Sequence, residues 1–451
     1  MGKRRVLHPA PVFDRKALSE CLHDNQIKDS HAISILQFLA KLHKSSAWAE
    51  QLSAGVSNEP VPVSIDLQQL DNLHGIPQKS CQVLMAGFSS CTSKVVGHQR
   101  SADGSTHKLL VELQDGHRVE SCVMVYGSKQ SRGCEQGDDD HADEEFWDCQ
   151  SELGGGAEHS LDAQFVTYPP VSVSGSDCTG NKKRPTRERA TLCVSSQIGC
   201  QMGCTFCATG TMGMLGNLWA GEIVEQLMHA QVNCPVPIRN VVFMGMGEPL
   251  NNYEAVLDAI GVMTKCFGLA PRHITVSTVG VVPRMRALGS DAPEVKLALS
   301  LHAPTQELRQ VIVPAAKAYK LDSLMAALDD YQRRTRRRVF VEYVVLAGVN
   351  DSEEVAHQAG RLLSQRDVVL NLIPFNPTFN PSLPKQYEAP TNAAINAFHR
   401  IMSKEYGVPT TVRFEKGQDI NGACGQLVVA KSNSNESTRL LGDIEDLMAR
   451  T

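Results

Sequence analysis

Cys200, Cys204 and Cys207 lie within one short loop sequence, GCQMGCTFCATG, and no fourth ligand follows at matching spacing. Few structures use a loop of three thiolates. Four would close a tetrahedral zinc site or an electron-transfer cluster, whereas three on a [4Fe-4S] cluster leave one iron with a coordination position for another molecule. The surrounding residues suit a bulky cluster: Gly199 and Gly203 permit a tight wrap, Phe206 precedes the last thiol, and a strand-like run from Leu192 to Gln197 leads into the loop. Two other readings compete, a zinc knuckle completed by a distant His or Cys, and thiols that merely pack. The constrained spacing favours the cluster.

From Ala190 onward, strand and helix patterns alternate. Strands are predicted at Leu192 to Gln197, Asn240 to Met246, His273 to Val279, Val295 to His302, Arg338 to Leu346 and Val369 to Pro374. Helices are predicted at Gly221 to Ala230, Tyr253 to Cys266, Leu321 to Thr335, Ser352 to Gln365 and Asn392 to Tyr406, with a further strand at Thr411 to Phe414. Such alternation means βαβ units and a parallel sheet. The repeats are too few for a closed eightfold barrel, so the expected fold is α/β with an open, partial (β/α)6 barrel. Chemistry then belongs at the C-terminal ends of the strands.

Upstream, residues 1 to 93 read as a small helical domain. Residues 94 to 127 lead into the catalytic domain, with Lys108 to Tyr126 a hairpin turning at Asp115-Gly116. Residues 128 to 187 lose periodicity and read as a disordered acidic insertion; 188 to 432 form the main domain and 433 to 451 a tail. The insertion distorts the charge balance. Residues 135 to 148 hold eight acids and no Lys or Arg, so the rest of the chain carries +3 against −5 for the whole. That mildly basic remainder permits a nucleic-acid partner. Arg333, Arg334, Arg336, Arg337 and Arg338 form its densest basic run, either a solvated helix end or a phosphate grip.

The 14 cysteines follow no small-scaffold disulfide pattern, which points to a reducing compartment. No stretch reaches the length of a membrane span, MGKRRVLHPAPVF lacks a signal peptide's apolar core, and Val6 breaks the myristoylation pattern. A soluble cytoplasmic protein is expected; an organellar stroma or matrix is the other compartment that fits.

Several polar groups fall at predicted strand ends. In Gly245-Met246-Gly247-Glu248-Pro249 the glycines let backbone approach a ligand and the carboxylate is able to hold an ammonium; the alternative is an ordinary Gly-Pro turn. Ser277 ends the third strand, Ser300 and His302 the fourth, and Asn376 follows the sixth. A lone histidine is more often a satisfied core residue than a ligand, yet these groups share one rim with the cysteine loop. Cys424 stands between Gly422 and Gly425, either a small buried hydrophobe or a thiol on a loop able to swing inward.

Taken together, CVSSQIGCQMGCTFCATG, AGEIVEQL, NVVFMGMGEPLNN, ITVSTVGVVP, LALSLHAP, EYVVLAGVND, NLIPFNP and DINGACGQL resemble the RlmN-like radical SAM RNA methyltransferases and their Cfr kin. The resemblance implies a [4Fe-4S] cluster on Cys200, Cys204 and Cys207, whose open iron is chelated by S-adenosylmethionine. Contacts to that molecule carry over to Gly247, Glu248, Ser277, Ser300, Leu301, His302 and Asn376. It further implies methylation of adenosine C2 in large-subunit ribosomal RNA and in transfer RNA. Cys424 accepts a methyl group, Glu120 removes the C2 proton, and Cys193 resolves the protein-RNA crosslink by a disulfide with Cys424. An electron donor such as flavodoxin or ferredoxin and a monomeric state are expected with it. Two departures stand out: a long insertion separates Glu120 from Cys193, and TGTMGMLGNL replaces a stretch where many relatives carry Gln and a basic residue. A C8-specific enzyme of the Cfr type and a non-catalytic zinc RNA-binding module are the alternatives.

Overall fold

The structure, a computed structural model, describes residues 5–53, 59–127, 188–378, 386–413 and 416–427. The acidic insertion at 128–187 and the tail at 433–451 lie outside the described residues. A short parallel pair, β1 (Ala10–Pro11) and β2 (Phe88–Ser89), brackets the N-terminal helices. Three antiparallel strands follow, β3 (Lys94–Arg100), β4 (Thr106–Glu112) and β5 (Arg118–Tyr126), with Gly116 at φ 81° in the tight turn between the last two. β5 runs antiparallel to β6 (Arg189–Cys193).

β6 begins the parallel part of the sheet. It is followed, after the separate ribbon β7 (Gln197–Cys200) and β8 (Gly213–Asn217), by β9 (Ile238–Phe243), β10 (Ile274–Thr278), β11 (Lys296–Ser300), β12 (Val339–Val345), β13 (Val368–Pro374) and β14 (Thr410–Val412). The sheet has ten strands in the order β14-β13-β12-β11-β10-β9-β6-β5-β4-β3. β3 and β14 are its two edges, so the barrel is open. Helices such as Ala220–Asn233, Tyr253–Lys265, Leu321–Thr335 and Glu353–Leu363 cross over between parallel strands. Strands covered in this way are apolar on both faces; every residue of β12 is buried.

One continuous core runs from Leu18, Ile35 and Leu39 of the N-terminal helices through Val123 and Leu192 of the sheet to Leu328 and Phe398. A second, smaller cluster, including Phe206, Ile312, Val313 and Phe375, packs with Cys204 and Cys207. Among the described residues no helix is long and apolar enough to cross a membrane.

Where the predicted strand Leu192 to Gln197 was continuous, the chain bends. β6 ends at Cys193, the Val194 N–H still bonds the Val242 carbonyl at 3.0 Å, and the N–H groups of Ser196 and Gln197 then turn to the Met246 carbonyl. The polar run Ser195-Ser196-Gln197 marks the bend, after which β7, with Cys200 at its end, pairs with β8 in a separate ribbon.

Candidate active site

The cysteine loop is held on three sides. Gly199 adopts φ 73°, and a Cβ there would sit 2.0 Å from the Gly213 carbonyl oxygen of the partner ribbon strand. The Thr205 N–H donates to the Ile312 carbonyl at 2.9 Å, and the Ala315 N–H to the Met202 carbonyl at 3.3 Å. From the far side, the Ala208 N–H donates to the Gly425 carbonyl at 2.8 Å and the Thr209 hydroxyl to the Leu427 carbonyl at 2.6 Å. The segment bearing Cys424 therefore docks directly on the loop bearing Cys207.

Burial pushes the Cys200 thiol up to about 12 and the Cys204 thiol well above the usual range, with neighbouring thiols adding repulsion. Bound metal reverses that balance, because it stabilises thiolate directly. Among the described residues, the His, Cys and acid trio whose ligand atoms all lie within 4.8 Å of one another is Cys91, Glu225 and His229, not the loop cysteines. The loop offers three thiols, soft ligands whose chemistry fits an iron–sulfur cluster.

The strand ends form the adjoining rim. Gly245 and Gly247 are required by the chain's own packing: added Cβ atoms would lie 2.7 Å from the Val194 carbonyl oxygen and 2.6 Å from Gln197 Cβ. Gln197 in turn accepts from the Glu248 N–H at 2.9 Å. The Glu248 carboxylate accepts from the Leu250 and Val279 N–H groups at 3.0 and 2.9 Å, and burial raises it to about 7. Ser277 and Ser300 face each other with hydroxyl oxygens 3.3 Å apart.

Leu301 and His302 follow in an unusual backbone. His302 sits at φ 59°, fixed by the Asn350 side-chain amide donating to its carbonyl at 2.8 Å. Its Nδ1 accepts from the Val344 N–H at 3.0 Å, its ring meets Phe206 edge-on at 5.0 Å, and burial lowers it to about 3, so the imidazole is neutral. Asn376 donates to the Cys424 carbonyl at 3.3 Å and accepts from Gln418 at 2.6 Å. Sequence reasoning missed Arg309. This fully buried guanidinium donates to the Leu301 carbonyl at 3.0 Å, to the Ser300 carbonyl at 3.2 Å and to the Val279 carbonyl, tying two strand ends together.

Across the opening, Cys122, Cys193, Cys207, Met244, Arg413 and Cys424 line one cavity of about 50 Å³. Cys122 pairs in register with Cys193. Glu120, two residues earlier on β5, is therefore on the same face; it is 4% exposed and ion-paired with Lys108 at 3.1 Å. That burial sets it apart from an exposed strand carboxylate. Gln226 anchors this strand, accepting from the Ser121 hydroxyl and the Ser195 N–H at 2.8 Å each. The long chain interval between Glu120 and Cys193 is spanned by direct pairing of β5 with β6.

Two other candidate sites have structural explanations. Glu225 accepts from the Thr92 and Ser93 N–H groups at 2.8 and 2.9 Å and from both hydroxyls, so it latches the loop before β3 to the helix Ala220–Asn233. Burial raises Glu225 to about 7 from 4.5. Between those values the unfolded state binds fewer protons than the folded one, so Glu225 removes stability as pH rises through that window. Urea unfolding across it is expected to show a shallower fall in Glu225→Gln than in the wild type. In the basic run, Arg333 and Arg334 bond Asp330 at 3.2 and 2.9 Å, Arg338 bonds Asp367 at 2.6 Å, and Arg337 bonds the Pro293 carbonyl at 2.9 Å.

The model of the radical SAM superfamily matches residues 194–359. The ribosomal RNA large subunit methyltransferase N of Nitrosopumilus maritimus is 37% identical over 347 residues, covering 76% of this chain and 82% of that protein. A dual-specificity RNA methyltransferase, RlmN 1 of Myxococcus xanthus, is 45% identical over 336 residues, covering 72% and 74%. The crystal structure of a radical SAM methyltransferase from Sphaerobacter thermophilus superposes with a TM-score of 0.65 at 31% identity, over 93% of this chain and 99% of that one. The chain belongs to the RlmN family of radical SAM RNA methyltransferases, which use a [4Fe-4S] cluster and S-adenosylmethionine.

Proposed function

We propose that the protein methylates C2 of adenosine in large-subunit ribosomal RNA, and in transfer RNA, through a methylated cysteine. One observation carries the reading: the thiols of Cys193 and Cys424 share a cavity with Cys207, on the sheet face that bears Glu120. Adenine C2 is an electron-poor amidine carbon and does not attack a sulfonium methyl group. A cysteine thiolate does.

Cys200, Cys204 and Cys207 would hold the cluster, and the rim residues Gly247, Glu248, Ser277, Ser300, Leu301, His302 and Asn376 would hold S-adenosylmethionine. When bound, the cluster and S-adenosylmethionine would supply a 5′-deoxyadenosyl radical, and the methyl group on Cys424 would give up a hydrogen atom to it. The methylene carbon would bond to C2, one electron would return from the adduct to the oxidised cluster, Glu120 would take the C2 proton, and the Cys193 thiolate would attack the Cys424 sulfur. That attack would form the Cys193–Cys424 disulfide and break the bond from the Cys424 sulfur to carbon, whose electron pair stays on the carbon and takes up a proton to complete the methyl group. The Arg413 charge beside Cys193 favours its thiolate against the burial that pushes the thiol up to about 11. An external donor such as flavodoxin or ferredoxin would reduce the cluster, and a dithiol the disulfide.

The names of the two relatives, a ribosomal RNA large subunit methyltransferase and a dual-specificity RNA methyltransferase, support a large-subunit ribosomal RNA substrate and leave room for a second RNA. Mass spectrometry of nucleosides from both RNAs, after reaction with the anaerobically reconstituted protein, tests the reading. The expected product is 2-methyladenosine. Finding 8-methyladenosine alone would assign the C8 reaction instead, and a colourless protein that takes up zinc and no iron would remove catalysis.

A further inference from the structure

We infer that Lys108 is a positioning residue for this reaction, its ammonium group holding the Glu120 carboxylate in ionised form on the sheet face that carries the thiols of Cys122 and Cys193. The inference rests on the reading of Glu120 as the base. Lys108 stands opposite Cys122 in the β4–β5 register and Leu110 stands opposite Glu120. Residues directly opposite, and residues two apart, share a sheet face, so Lys108, Glu120 and Cys122 project to the same side. Lys108 Nζ lies 3.1 Å from a Glu120 carboxylate oxygen, and the two side chains are 12% and 6% exposed.

The surface pair on the same strands behaves differently. Glu112 is shared by Lys94 and Arg118, and the Lys94 side chain is 69% exposed, where an ion pair contributes little. At Glu120 the desolvated pair has no stability advantage over apolar packing, but it decides the protonation state of the carboxyl group. Two other buried acids show what burial does when only N–H and O–H groups donate: Glu225 and Glu248 are both driven up to about 7. A base needs the opposite environment, and a cation at contact distance provides it. The Ser195 hydroxyl fixes the backbone as well, donating to the Glu120 carbonyl at 2.7 Å and accepting from the Met246 N–H at 3.0 Å.

The ionisable residues that line the cavity are Cys122 on β5, Cys193 on β6, Cys207 of the cysteine loop, and Arg413, Lys416 and Cys424 from the C-terminal segment. Burial keeps the Cys122 and Cys193 thiols protonated near neutrality. Lys108 places its cation at contact distance from the Glu120 carboxylate, 3.1 Å from one oxygen.

Single-turnover formation of the methylated nucleoside is measured between about pH 6 and about pH 9 for wild type, Lys108→Met and Lys108→Arg, alongside iron content and 5′-deoxyadenosine release. Lys108→Met is expected to load iron normally and to lose on the order of tenfold or more in rate at neutral pH, with the loss recovered at high pH. Lys108→Arg is expected to restore the neutral-pH rate. A Lys108→Met profile that overlays wild type, or a uniform loss at every pH with intact iron loading, overturns the inference. If Lys108→Met fails to fold, adding Glu120→Gln should rescue it by removing the buried charge that Lys108 compensates, and failure of that rescue overturns the inference too. If the wild type forms no methylated adenosine, the functional reading has failed instead. The Lys108 contact is then judged by stability alone: Lys108→Met and Glu120→Gln must be non-additive, and additivity overturns it.

Discussion

Cys193→Ala, given RNA, S-adenosylmethionine and reductant, is expected to end the reaction covalently attached to its substrate. In the proposed sequence the carbon carried by Cys424 bonds to adenine before any thiol leaves, so the adduct forms without Cys193. Only the release step uses Cys193. The residue sits on β6 opposite Cys122, in the cavity it shares with Cys424, and it is 7% exposed. No thiol then stands on β6 beside Cys424 to break the link, so release is left to slower external thiols. A slow-migrating species that contains protein and RNA, disappears on nuclease treatment and is absent from the Cys193→Ala/Cys424→Ala double variant is the expected readout on a denaturing gel. Free 2-methyladenosine from the single variant at the wild-type rate would show that another group resolves the adduct. Cys122 is the neighbour to test next.

Much of this site was legible before any coordinates, because its parts fall at the ends of strands whose residues announce them. Val241, Val242 and Phe243, or the run from Val339 to Val345 interrupted by Glu342 alone, are buried on both faces and read as apolar segments. Once those strands are parallel, Glu248, Ser277, Ser300 and Asn376 fall on one rim. Lys108, Arg309 and Gln226 were not legible, because their roles depend on which backbone and side-chain groups the fold places beside them; Gln226 meets Ser121 across 105 residues. Nothing local marks Lys108 as the partner of Glu120 until the Asp115-Gly116 turn sets the register of β4 on β5. Arg309 reads as a charge on a short amphipathic helix, yet its helix, Gln306–Ile312, points it inward to three backbone carbonyls. The edge strand β3, Lys94–Arg100, carries polar and half-exposed residues and gives little apolar alternation to read.

The cluster loop leads to the other large expected effect: Gly199→Ala should cost the protein its iron, while Gly203→Ala should keep most of it. Both glycines hold left-handed backbone, φ 73° and φ 66°, so either substitution carries a conformational cost of about 1–2 kcal/mol. Their surroundings separate them. A Cβ at Gly203 meets nothing nearer than Pro314 Cγ at 4.0 Å, whereas one at Gly199 would overlap the Gly213 carbonyl oxygen at 2.0 Å. That carbonyl belongs to backbone and cannot rotate away, so β7 must part from β8. The register Gly199↔Met214 and Cys200↔Gly213 is lost with it. Cys200 is the next residue, so the displacement falls directly on the first of the three thiols. Iron per chain and visible absorbance after anaerobic reconstitution, with thermal unfolding of both variants in parallel, check this. Equal iron in the two variants would mean that the ribbon does not set the position of Cys200, and that the loop's contacts with Ile312 and Gly425 suffice to hold it.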